Sequence, residues 1–145
     1  MRSIEANLDV PVSVAEPIVR RALSEVGFGI LTEIDVAATL KNKLGVERPA
    51  LRILGACNPN LAHQALQVDP SLALLLPCNV VIEESGNNRS RVAVIEPRDI
   101  LTMTGSTDPQ IQELGSQASA RLHQAVTRVG EIYAAGAHAA GSGRG

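Results

Sequence analysis

Eight prolines punctuate this chain, and their positions set where its strands and helices begin and end. Proline lacks an N–H and locks φ, so it belongs in the first turn of a helix or at the margin of a strand, not inside a hydrogen-bonded ladder. Pro11 ends a first strand over residues 2–8, where Ile4, Ala6 and Leu8 alternate with polar neighbours. Ser13 and Glu16 form a capping-box pattern, with Pro17 in the first turn. Val14, Ile18, Val19, Ala22, Leu23 and Val26 then recur at three- and four-residue spacing, an amphipathic helix stopped by Gly27. A second strand is expected over residues 28–34, followed by a short helix capped by Asp35 and closed by Gly45.

Pro49 marks the approach to a third strand over residues 51–56. Asn58 at the N-cap and Pro59 behind it open a helix that Asp69-Pro70 closes. The apolar run 72–76 is expected to be buried throughout. After Pro77, residues 78–84 and 91–95 read as a hairpin turning at Gly86-Asn87-Asn88, and Pro97 stops its second strand. Residues 100–107 carry no decisive pattern. Asp108-Pro109 opens a last helix with Ile111, Leu114, Leu122, Ala125 and Val129 on one stripe. Residues 1–133 therefore read as a single domain and 134–145 as a flexible Ala/Gly-rich tail. The order is not a regular strand-helix alternation. It predicts an α+β two-layer sandwich: a largely antiparallel five-stranded sheet with two long helices on one face.

Composition narrows function by exclusion. A net charge of -2 leaves no basic excess to neutralise phosphates, which argues against a nucleic-acid partner. One Phe, one Tyr and no Trp give no platform for stacking bases or sugars. No apolar run approaches the roughly 18 residues of a membrane span, and Arg2, Glu5 and Asp9 fall where a signal peptide would need its apolar centre. The expectation is a cytoplasmic protein without a membrane partner, whose two cysteines sit in a reducing compartment.

The unusual chemistry lies between Ile53 and Ile82. Cys57 and Cys78 are each followed by asparagine and each lie within two residues of a proline. If the third and fourth strands are antiparallel neighbours, the two cysteines meet at one end of the sheet. Cys57 also precedes a helix N-terminus, whose free N–H groups favour a thiolate. Three readings stay open: small buried residues filling gaps, a thiol-redox or soft-metal site for Zn or Cu(I) with His63 as third ligand, or a disulfide. Asn58 and Asn79 read first as backbone hydrogen-bonders, and alternatively as amides lining a ligand pocket beside the thiols. Glu33, Asp35 and Lys41 form the other polar cluster, which presents a carboxylate and an ammonium for acid-base work if they share a cleft. The chain has no phosphate-cradling glycine loop and no HExxH helix, so nucleotide-binding and metalloprotease readings lack a motif.

The runs Thr32-Glu33-Ile34-Asp35-Val36, Ile53-Leu54-Gly55-Ala56-Cys57-Asn58-Pro59 and Leu74-Leu75-Leu76-Pro77-Cys78-Asn79-Val80 resemble domain-of-unknown-function family 302, over roughly residues 5–103. The resemblance implies a strand-helix-four-strand-helix fold of the TATA-binding-protein class, usually a homodimer, with no established activity. This chain departs from the family pattern at Arg48-Pro49-Ala50-Leu51, where aromatic side chains are common, and at Ala73, where glycine is usual. Together these readings point to a small binding or interaction domain, a homodimer without demonstrable catalysis and with room for a small ligand. The alternative is a thiol-based site at Cys57 and Cys78.

Overall fold

The computed structural model describes the backbone of residues 1–142 and the side chains of residues 1–136. In chain order the elements are β1 (Ser3–Leu8), α1 (Val12–Glu25), β2 (Gly29–Asp35), α2 (Val36–Leu44) and β3 (Leu51–Cys57). Then come α3 (Pro59–Val68), a 3₁₀ turn (Pro70–Leu75), β4 (Cys78–Gly86), β5 (Arg89–Ile95), α4 (Pro97–Thr104) and α5 (Pro109–Ser142). The strands form one sheet in the order β1-β5-β4-β3-β2, and every neighbouring pair is antiparallel. This is the α+β architecture that the hydrophobic pattern implies.

The alternation within each strand decides which side chains meet the helices. Leu54 and Ala56 of β3, Val80 and Ile82 of β4, and Val92 and Val94 of β5 are all buried. They pack into one core with Val19, Ala22 and Leu23 of α1 and with Leu122, Ala125 and Val129 of α5. Fully burying each Val or Leu contributes about 1.5–3 kcal/mol, so this interface carries most of the stability. Among the described residues, no helix is long and apolar enough to cross a membrane.

Several local expectations need correction. The Ser13–Glu16 capping box does not form. Pro11 is the N-cap without a side-chain bond, and its carbonyl accepts from the N–H groups of Val14 and Ala15, both at 3.0 Å. Ser13 therefore falls inside the first turn, and Glu16 is drawn to Arg20 and Arg52. The apolar run 72–76 is not buried throughout: Leu72 is buried, whereas Leu74 is 87% exposed. In a 3₁₀ turn residues three apart share a face, so Leu72 and Leu75 point inward together and Leu74 cannot join them. Pro97 both ends β5 and opens α4, a helix within the stretch that lacked a decisive pattern; Gly105, with φ of 68°, terminates it. The helix of α5 continues past Tyr133 to Ser142, in keeping with the high helix propensity of its alanines. The rest of the expected tail, residues 143–145, lies outside the described residues.

One close approach fixes the end of the sheet where the cysteines lie. A Cβ placed on Gly55 would collide with the Thr32 hydroxyl and come within 2.7 Å of Pro77 Cγ. Only glycine lets Pro77 lie this close to β3. Gly55→Ala should therefore destabilise the protein by about 2 kcal/mol through overpacking, measured as a lower urea midpoint with an unchanged slope. A neutral substitution would mean that Pro77 and Thr32 move aside freely.

Candidate functional site

The β3–β4 ladder brings the two cysteine motifs together. Ala56 pairs with Cys78, so Cys57 and Cys78 sit diagonally across neighbouring strands at the same end of the sheet. Beyond Cys57 the chain turns into α3. Asn58, 5% exposed, caps it by accepting the Leu61 N–H at 3.2 Å, and Pro59 occupies the first turn. Both cysteines are free and half-buried.

They line a cavity of about 100 Å³ enclosed by α3, the 3₁₀ turn, α4 and α5. The walls are almost wholly apolar, with Phe28, Leu61, Leu72, Ile100 and Ile111 among them. Leaving a space of that size dry costs about 2 kcal/mol at roughly 24 cal/mol per Å³. The thiols respond to this setting. Burial pushes Cys78 up to about 11, and the nearby Cys57 adds to the effect. Cys57 is also raised by burial. The expected activation of Cys57 by the α3 N-terminus is thus reversed, because desolvation of the thiolate outweighs the helix and Asn58 already takes one of the free N–H groups.

The other expected site residues scatter. His63 is exposed on α3 and is not part of the cavity wall. Among the described residues no group of three or more His, Cys, Asp or Glu side chains converges, so Cys57, Cys78 and His63 do not form the expected Zn or Cu(I) ligand set. Asn79, paired with Gly55, is exposed and lies outside the cavity wall. Glu33 and Lys41 do not share a cleft. Glu33 is ion-paired with Arg20, and Lys41 with Glu47 at 3.2 Å. Arg20 also pairs with Glu16, and Glu16 with Arg52, which reaches Asp35 at 3.7 Å. The cluster is thus a chain of solvated ion pairs running from α1 to the β2–β3 edge, each member worth little on its own.

A family model matches residues 4–129, from β1 through most of α5. The chain belongs to the family Domain of unknown function DUF302. The solved structure titled as an uncharacterised conserved protein DUF302 from Bacillus stearothermophilus is similar to it, with a TM-score of 0.79 and 23% identity. That likeness covers 89% of this chain and 98% of the other, and at this identity it speaks to fold alone. No curated protein matches the chain.

Sequence reasoning passed over the most strongly held charge in this DUF302 chain. Glu96, 4% exposed, is the N-cap of α4. Its carboxylate accepts from Arg98 Nε at 3.0 Å and from the buried Ser119, and lies 3.1 Å from His123 Nε2. Burial disfavours the charge, yet these hydrogen bonds outweigh it and hold the carboxyl down at about 2. Ser119 and His123 are one helical turn apart on α5, so the cluster clamps the β5–α4 corner onto that helix. The clamp adjoins the cavity, because Pro97 and Ala118, next in the chain to Glu96 and Ser119, are wall residues. The available signal was a carboxylate directly before a helix-opening proline at the end of an apolar strand.

Because the folded carboxyl lies below its ordinary 4.5, its contribution is complete above about pH 4.5 and disappears as pH falls toward 2. Glu96→Gln should therefore cost about 2 kcal/mol at pH 7, with the gap to the parent protein narrowing at pH 3. Urea unfolding at the two pH values measures it. A gap that stays constant would show that the charge is not what Ser119, Arg98 and His123 hold.

Proposed function

We propose that the chain is a small cytoplasmic binding and interaction domain that works as a homodimer and does no chemistry of its own. The observation that carries this reading is an apolar surface on the far side of the sheet from α1 and α5. Ile34, Ile53, Val81 and Ala93 occupy one row across β2, β3, β4 and β5. Leu31 and Leu44, 65% and 68% exposed, belong to the same edge of the molecule. α2 has none of its nine residues buried. An isolated helix of that length is marginal in water, so α2 needs a cover. A second copy of the chain is the occupant that the family resemblance implies, and a two-fold axis would set the same apolar row against itself.

A second reading is a dithiol that binds soft metal or cycles redox state. The adjacency of two free thiols favours it, and their burial in an apolar wall disfavours it.

Sedimentation over a concentration series separates a homodimer from a monomer. The parent chain should be dimeric at micromolar concentration. Ile34→Glu should weaken the dimer about 30-fold or more, as expected for an interface anchor, while Cys57→Ser and Cys78→Ser leave it intact. A parent chain that sediments as a monomer at every concentration overturns the proposal.

A further inference from the structure

We infer that the cavity beside Cys57 and Cys78 is a binding site for a small, uncharged aromatic ring. This rests on the reading of the domain as a binding module and names the class of molecule it takes. Three observations lead there. First, the space is built by small residues from several directions: Ala56 at the end of β3, Ala62 and Ala65 on α3, and Gly115 and Ala118 on α5. Around them stand Leu, Ile and Phe side chains, so the void has a rigid apolar frame. Second, its volume of about 100 Å³ approaches that of apolar cavities of about 150 Å³, which stay dry and accept benzene. Third, Ala62, Ala65 and Ala118 are only half-buried although they line it, so the space communicates with solvent and a ligand can enter.

The chemistry of the wall selects among molecules of that size. A charged ligand would leave water for a wall with no charged side chain. Asn58, the polar residue of the wall, already uses its side-chain oxygen to cap α3. The two thiols and Phe28 offer polarisable contacts, and sulfur against a ring is a favourable pair. An aromatic ring therefore fits better than a carboxylate, a phosphate or a sugar.

Toluene tests this directly on the full chain. Its addition should shift the methyl resonances of Ile100, Leu101 and Ile111 in a saturable way and raise the melting temperature. Benzoate, of similar shape but charged, should bind at least about tenfold more weakly. Ala118→Leu should fill the space from α5 and remove toluene binding while the melting temperature without toluene is kept or raised. Ala65→Leu does the same from α3, and decides the matter if the first variant fails to fold. Toluene that leaves the lining methyls unmoved, or that binds both filled variants like the parent, overturns the inference, as does benzoate binding equally well. Sedimentation keeps the two readings apart. A dimer that ignores toluene removes this inference alone, and a monomer that takes it removes the dimer alone.

Discussion

The close approach of Pro77 to β3 at Gly55 is the contact on which the candidate site depends. It sets the register in which Ala56 faces Cys78, and that register places the two thiols at one end of the sheet. The same chain end leads from Cys57 into the capped N-terminus of α3, and from there into the 3₁₀ turn that closes the cavity. Any side chain at position 55 would push Pro77 outward and carry Leu76 and Cys78, both wall residues, with it. The motifs around the cysteines are therefore first of all instructions for where backbone must pass.

Magnitudes decide what kind of thiols result. A helix N-terminus is worth about 0.3–1 kcal/mol to a nearby anion, less than the 1.36 kcal/mol of one pKa unit. Desolvation carries Cys78 from 9.0 to about 11. Burial therefore prevails, and the pair stays protonated and apolar in character at neutral pH. Glu96 shows the opposite balance a short distance away. It is buried as well, but Ser119, Arg98 and His123 supply enough hydrogen bonds to the charged form to keep it ionised. Two buried sites thus diverge because one has donors and the other has none.

Much of the fold was legible because its punctuation is local. Asp35, Asn58, Gly45 and the proline pattern act within a few residues of themselves, and their elements fall where the sequence places them. The antiparallel pairing of β3 with β4, and hence the meeting of the cysteines, followed from element order. What escaped depends on groups far apart in sequence. Glu33 looked like a partner for Lys41 because they are near in the chain, yet Arg20 on α1 claims it. Glu96 finds Ser119 and His123 across a gap that periodicity cannot bridge. The cavity is also invisible in the pattern, since its alanines read as ordinary helix residues until α3, α4 and α5 converge around them.

The account turns on whether the cysteine pair is a neutral wall or a reactive centre. The most direct measurement is the titration of each thiol in the folded protein, followed by the ¹³Cβ shifts of Cys57 and Cys78 from pH 6 upward. The account predicts that both midpoints lie above the ordinary 9.0, with Cys78 the higher at about 11. A midpoint for either thiol below 9.0 would contradict it and make the dithiol the functional centre of the domain.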